Sequence, residues 1–373
     1  MPPTSSLLSL PNNQDIYVWE LPVAELAAVL NDFLGRLSPT RVSIVTDQLR
    51  AILRAEGQQE LVVLAASAGA ANLDAAVVLI ATIAKPGDTA TVLHMDWTRP
   101  ASSGDAEIAQ DRETAQGCAL AIAQRLTPIF SAHDVRFIQW ATDPEETTSH
   151  SVSSDADQSV FAWPRRTGFS PIGTLDYLAM DYPTGGNRTG NPTAETRVDL
   201  EGEATVVIEP LASDSPSVVA DFEQVIQRTY QGSLDCPLLE EYRAPAEIIQ
   251  SYRNVDSYAP DLWFWVRAAG NDDSSCGEVV GCMMLAKHCN STTNDLVLEL
   301  VYMGVLPEHR GRRYGQQIMQ QIAQVCIKEN ASRLVLAVDQ RNHPAHAAYR
   351  RSGMQSLFRE TVWVYSNQPA SLG

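Results

Sequence analysis

Short runs of β-branched and aliphatic residues at 61–66, 77–83 and 90–97 predict three successive strands in the first half of the chain. The last two flank Lys85-Pro86-Gly87-Asp88, turn chemistry that predicts a hairpin. Helical spacing of apolar positions predicts helices over 22–34, where Pro22 suits a first turn, over 46–55 and over 113–126. A strand at 135–140, a short helix within 159–167 and a strand at 174–181 complete this series. Residues 183–203 are rich in Gly, Pro and Thr with almost no large apolar side chain, which predicts a linker.

The pattern then repeats. Strand 205–208, helix 216–230, loop 231–237, helix 245–253 and strand 262–268 are followed by a polar turn at 271–277. Strands at 278–285 and 296–305, a helix at 316–329, a strand at 333–338 and a short helical element beginning near Asn342 come next. Both halves run through helices, a three-strand meander, a helix, a strand, a short helix, Gly-Phe or Gly-Met, and a final strand. TGFSPIGTLDYLAMDY in the first half and SGMQSLFRETVWVYSN in the second share position and pattern. This predicts an internal duplication: an α/β (α+β) chain with one domain over 1–182 and another over 204–373, joined by the linker 183–203. A length of 373 residues also exceeds one ordinary core.

Composition narrows the classes. With 45% hydrophobic and 19% charged residues the chain is globular. A formal charge of −18 argues against a nucleic-acid or anionic-membrane partner. It either serves solubility alone or favours a cationic, amine-bearing partner. Cysteines at 118, 236, 276, 282, 289 and 326 form no CxxC and no Cys/His zinc spacing, so no metal site is expected and a reduced interior is. Without a leader pattern or a membrane-length apolar run, the expected location is cytoplasmic.

The chemistry centres on LVLELVYMGVLPEHRGRRYG, residues 296–315. A strand that feeds a Gly-containing loop and then a helix makes an anion site, because first-turn amides and the positive end of the helix dipole face the loop. No Gly-Lys-Ser/Thr closes this loop, and its glycines are not spaced as in the dinucleotide fingerprint. Arg310-Gly311-Arg312-Arg313-Tyr314-Gly315 instead resembles the Arg/Gln-x-x-Gly-x-Gly/Ala loop of the GNAT superfamily of N-acyltransferases, with Arg313 at the middle glycine. Residues 342–354 resemble a second element of that family through Asn342, Ala345, Tyr349 and Gly353, with Ala348 and Met354 as departures. EVVGCMML at 278–285 resembles the preceding family strand with its internal glycine.

The resemblance implies a tandem GNAT layout, also used by mycothiol synthases, in which each domain is a mixed, mostly antiparallel twisted sheet flanked by helices. It implies acetyl-CoA as co-substrate, with the pantetheine arm on Met303, Gly304 and Val305. Arg310, Gly311, Arg312, Arg313, Tyr314, Gly315 and Gln316 would hold the pyrophosphate, and Asn342 belongs to the second motif of the same site. Tyr349 matches the general acid that protonates the leaving sulfur; outside the motif an aromatic there is core packing. Glu299 occupies the register of the general base in some histone-type members. Its alternative is a salt bridge to a basic neighbour such as Lys287, while His309 and His343 are nearby alternative bases. Tyr230, Asp235 and Cys236 in the 230–237 loop are candidate acceptor contacts, unless that loop is merely ordered. The first half carries Arg99-Pro100-Ala101-Ser102-Ser103-Gly104-Asp105 where the second carries its loop, and Pro164 where the second has Tyr349, so it is expected to be degenerate. The expected function is acetyl transfer to a primary amine of a small molecule or peptide by the C-terminal domain. A non-catalytic CoA-binding or sensing module, or use of a longer acyl-CoA, are the alternatives.

Overall fold

The computed structural model describes residues 6–9, 15–35, 37–54, 59–73, 76–84, 89–98, 105–144, 163–183, 206–211, 215–241, 253, 259–269, 276–289 and 295–366. The expected turn at 85–88, linker at 183–203 and helix at 245–253 lie outside them, apart from Pro183 and Arg253. Two compact units are present: Met1–Ile172 with Glu360–Gly373, and Gly173–Arg359.

Unit 1 begins with β1 (Ser6–Ser9) and β2 (Asp15–Glu20), followed by α1 (Val23–Leu34) and α2 (Pro39–Arg54). Then come β3 (Gln59–Ala68), β4 (Val77–Ala84), β5 (Thr89–Trp97), α3 (Asp105–Ala132), β6 (Phe137–Thr142), α4 (Trp163–Arg166) and the start of β7 (Ser170–Asp181). β1 to β5 form an antiparallel meander, and β6 joins β5 in parallel. Two elements exceed the sequence expectation. β2 alternates buried Ile16 and Val18 with more exposed neighbours, a half-buried strand. α2 starts well before residue 46, because the Ser38 hydroxyl accepts the Arg41 amide at 3.2 Å and Pro39 follows at the first helical position.

In unit 2 the order is β8 (Val206–Pro210), α5 (Pro216–Tyr230), β9 (Trp263–Ala269), β10 (Cys276–Cys289), β11 (Leu296–Val305), α6 (Tyr314–Lys328), β12 (Arg333–Asp339), α7 (His343–Arg351) and β13 (Gln355–Ser366). β8 to β11 are antiparallel and β12 joins β11 in parallel. The α6 stripe Ile318, Met319, Ile322, Val325 and Cys326 packs with Met283, Leu285, Leu298, Leu300, Leu334 and Leu336 on one sheet face. α5 sends Phe222 and Ile226 against Trp263, Cys282 and Met284 on the other. Successive β10 residues divide between the two clusters as the pleat requires.

Each unit is completed by a strand from the other half of the sequence. Residues 175–181 of β7 pair antiparallel with β12, from Arg333↔Asp181 to Asp339↔Leu175. Thr361 to Ser366 of β13 pair with β6 in unit 1. There, buried Glu360 forms an ion pair with buried Arg41, Trp363 donates its indole N–H to the Thr142 hydroxyl at 2.9 Å, and Arg165 lies over the Trp363 ring. Boundaries drawn at 182 and 204 do not anticipate this exchange.

Local devices recur between the units. The β4–β5 register shifts at Ile80/Ala81, leaving Leu93 as an extra residue, and the β10–β11 register shifts at Met284/Leu285, leaving Val301. The parallel ladders stop just before these bulges, at Val92↔Trp140 and Leu300↔Leu336. α4 and α7 both end on a positive-φ glycine, Gly168 or Gly353, with the next amide returning to Pro164 or Tyr349. No helix among the described residues is long and apolar enough to cross a membrane.

Two outcomes follow from this construction. Residues 204–373 expressed alone lack the strand that covers β12 and bare its edge, so the fragment should aggregate. Co-expression with residues 1–182 should return soluble, co-purifying protein, as size-exclusion chromatography would report. Within unit 2, a Cβ on Gly304 would sit 2.5 Å from the Thr229 hydroxyl oxygen and 2.6 Å from its Cβ. Gly304→Ala should therefore cost about 1–3 kcal/mol in urea unfolding. Gly315→Ala meets only ordinary contacts at 3.8 and 3.9 Å and should leave the midpoint unchanged or slightly raised.

Candidate active site

β11 and β12 are hydrogen-bonded only from Val297↔Arg333 to Leu300↔Leu336, although β11 runs on to Val305 and β12 to Asp339. Beyond Leu300 the two strands part, and the Val301 bulge lies at the point of parting. A parted parallel pair leaves inward main-chain groups of Met303 to Val305 and of Ala337 to Asp339 free for something other than each other. Gly281 and Gly304 keep the β10 side of this strand end close: a Cβ on Gly281 would lie 2.2 Å from the Gly304 carbonyl oxygen.

The loop from β11 to α6 bends through Gly311 at φ 79° and Arg313 at φ 63°. Space around a Gly311 Cβ is open, but its φ is one that only glycine adopts freely. Arg313 replaces a glycine of the family pattern yet takes the left-handed conformation that the turn demands, and it is the N-cap of α6 without a side-chain cap bond. The Tyr314 and Gly315 amides thus lie ahead of the first intrahelical bond, in which the Gln316 amide reaches the Arg313 carbonyl at 3.1 Å, at the positive end of the helix. Arg312 and Arg313 are exposed, whereas Tyr314 and Gln316 are buried in the packing of α6. Gly315 brings three elements together. A Cβ there would lie 3.8 Å from that of Ala348 on α7 and 3.9 Å from Met303 Cε on β11.

Tyr349, the next residue on α7, is buried beside that junction in the core cluster of unit 2. Burial, and then the Asp235 charge, push its phenol well above the ordinary 10.0. Asn342 is the N-cap of α7 and accepts the Ala345 amide at 3.3 Å, which gives it a structural task in setting the helix that carries Tyr349.

Glu299 sits one residue before the end of the ladder, on the face opposite Leu298 and Leu300. Its partner is not Lys287, whose ammonium reaches Asp261 and Glu329, each at 3.1 Å. Glu299 Oε2 instead lies 2.6 Å from His288 Nε2 on β10, and both side chains are partly exposed. Glu299 and Tyr349 thus stand on opposite faces of the sheet, at the level where β11 leaves β12. His309 is buried and 3.8 Å from Glu278, while His343 is exposed at the start of α7.

The side chain of Arg310 turns away from the loop it opens. It donates from Nε to the Val305 carbonyl (3.1 Å), from Nη1 to those of Gln231 (2.8 Å) and Gly232 (3.1 Å), and from Nη2 to that of Thr229 (2.8 Å). The 230–237 loop is also held at its other end. Asp235 accepts the Asp339 amide at 2.8 Å, and the Asp339 carboxylate accepts the Cys236 amide at 3.2 Å. Burial raises the Asp235 carboxyl, an effect that the Asp339 amide opposes, and burial pushes the Cys236 thiol up to about 12. Cys236 takes φ 44°, and Tyr230 packs its ring against Tyr302 at 5.3 Å. The loop is ordered by the site's own walls, and its candidate acceptor contacts Tyr230, Asp235 and Cys236 are part of that order.

Two participants lay outside the sequence reading. Thr229 donates to the Ile226 carbonyl, bonds the Tyr302 hydroxyl at 2.7 Å and abuts Gly304. Asp339, fully buried at the end of β12, also receives Nη2 of Arg341 at 2.8 Å. A lone acid closing the apolar run RLVLAVD was the available signal for the second. Among the described residues, no group of three or more His, Cys, Asp and Glu side chains is placed to hold a metal ion.

Residues 226–354 match the family model described as Acetyltransferase (GNAT) family. A putative [ribosomal protein bS18]-alanine N-acetyltransferase of Bacillus subtilis (strain 168) is 33% identical over 57 residues. That match takes in 15% of this chain and 38% of the relative, so the chain spans well under half of the curated relative's length. Among solved structures, a tandem GNAT protein from the clavulanic acid biosynthesis pathway aligns over 95% of this chain and 100% of its own, at 13% identity and TM-score 0.43. A GCN5-related N-acetyltransferase from Sphaerobacter thermophilus aligns over 95% and 96%, at 14% identity and TM-score 0.47. The segment that matches the acetyltransferase (GNAT) family model, residues 226–354, is the one that holds the parted strands, the loop before α6 and Tyr349.

Proposed function

We propose that unit 2 is an N-acyltransferase that uses acetyl-CoA as donor and a primary amine of a small molecule or peptide as acceptor. The observation that carries this reading is the end of the β11–β12 ladder at the Val301 bulge, beside the uncapped start of α6 and next to Tyr349. The residues present suit the donor. Main-chain amides of Gly311 to Gly315 would take the pyrophosphate oxygens, and main-chain groups of Met303 to Val305 would take the amides of the pantetheine arm. A thioester supplies an activated acyl carbonyl.

The chain's own groups then have defined tasks. A freed β11 amide polarises the carbonyl as the amine attacks, and the C–S bond breaks as the C–N bond is completed. Tyr349 gives its phenolic proton to the departing thiolate, a task suited to a phenol that burial keeps protonated. Glu299, alone or through His288, takes the proton lost by the attacking nitrogen. The formal charge of −18 favours approach of a cationic acceptor.

A panel of amines screened with acetyl-CoA and a thiol-reactive dye tests the reading, because acyl transfer releases free CoA. Calorimetric titration should give one CoA per chain; two equivalent sites, or none, would count against it.

The two side chains separate by pH. Tyr349→Phe should lower kcat about one hundred- to ten-thousand-fold with CoA affinity nearly intact, and alkali should not repair it. The wild type should show no alkaline loss from ionisation of this tyrosine at its ordinary 10.0, since its titration is moved upward. Glu299→Gln should be impaired at neutral pH, where an amine of pKa about ten is mostly protonated, and should recover in part as pH rises. Full kcat in Tyr349→Phe would return that residue to core packing. Loss of thermal stability and activity together at every pH in Glu299→Gln would make its pair with His288 structural.

A further inference from the structure

Arg310 opens the phosphate-type loop, yet its guanidinium is spent on four carbonyl oxygens: those of Thr229, Gln231 and Gly232 at the end of α5, and that of Val305 at the end of β11. The last carbonyls of a helix carry its negative end and lack intrahelical donors, so a planar five-donor fork satisfies them in a way a point charge does not. A Cβ on Gly232 would stand 3.5 Å from Nη1, so the loop backbone lies directly against the guanidinium. The same helix end meets β11 through Thr229 against Gly304 and Tyr302, and Arg228 pairs with Glu308 between the strand and the loop. From there the 231–237 segment crosses to β12, where Asp235 and Cys236 exchange hydrogen bonds with Asp339.

We propose that Arg310 is a positioning residue that couples the cofactor loop to the acceptor-side loop 229–237, and that its side chain is not a phosphate ligand. This rests on the acyltransferase reading of the same site. An anion on the amides of Gly311 to Gly315 fixes the loop that Arg310 opens. Through the fork, that fixation is passed to the α5 terminus and the segment that follows it. Donor occupancy then sets the order of the surface that meets the acceptor.

The experiment pairs calorimetric titration of free CoA with hydrogen–deuterium exchange of the peptide covering 229–237. Wild type, Arg310→Ala and Arg310→Lys are compared, the last keeping the charge but not the fork. In wild type, CoA should slow exchange of this peptide about fivefold or more, the lower end of ordinary coupling between sites. In both variants CoA should bind with Kd changed by less than about threefold, while the slowing of this peptide disappears and that of the α6 start remains. A phosphate ligand would behave differently: Arg310→Ala would weaken CoA about tenfold or more, the worth of a hydrogen bond to a charged group, and that result overturns the proposal. So does wild-type protein that binds CoA without slowing exchange in 229–237, which leaves the acyltransferase reading intact. Wild-type protein that binds no CoA removes both. If Arg310→Ala does not fold, Arg310→Lys still decides, since a charge-only role predicts that it keeps the wild-type exchange response.

Discussion

A strand cannot keep a full set of main-chain hydrogen bonds on both edges once it takes in an extra residue, and unit 2 is arranged around that fact. β11 stays bonded to β10 through the Val301 bulge and gives up β12. Some of the groups so released find partners within the chain, the Val305 carbonyl in Arg310 and the Asp339 amide in Asp235, because buried amides and carbonyls are rarely left alone. The α6 start, Tyr349 and the 230–237 loop are placed around this opening, each by its own local rule. The left-handed residues at 311 and 313 aim α6, the Asn342 cap sets α7, and the paired Asp235 and Asp339 fix the loop.

Close approach of main chain explains why the opening keeps its shape. Gly281 and Gly304 allow β10, β11 and the end of α5 to meet with no side chain between them, and Thr229 fills the space a Cβ would need. The site is therefore braced from the α5 side by contact and by the Arg310 fork, and from the α6 side by Met303 and Ala348 around Gly315. In unit 1 the bulge at Leu93 and the matching ladder end at Val92 are kept, while Pro164 stands where unit 2 has Tyr349. The backbone device is common to both halves, and the side chain that would use it for acid catalysis is present in one.

Much of this was legible in the sequence because it rests on local patterns. The strands of the meanders and the α6 stripe follow from spacing and residue type. For α2 the expectation began at residue 46, whereas the helix starts at Pro39 behind the Ser38 cap. What escaped depends on pairings that spacing does not encode. The β7 strand lies beside β12, more than a hundred and fifty residues away for the pair Asp181 and Arg333. The partner of Glu299 follows from the register of β10 on β11, which brings His288 rather than Lys287 to its side. Arg310 falls in a motif whose glycines speak for phosphate, and its carbonyl partners leave no trace in composition.

The exchange of β7 and β13 also sets a timetable for synthesis. A ribosome delivers the first unit's residues long before residues 361–366, the strand that pairs with β6. Folding from the N-terminus therefore halts at an incomplete sheet whose open β6 edge persists until residues 361–366 have been made. During that interval β6 is a template for any passing strand, and the long wait penalises rapid closure in the way non-local pairings do. A chain whose two halves trade their closing strands makes each unit depend on residues from both halves, at the cost of a nascent chain that needs shelter while it waits.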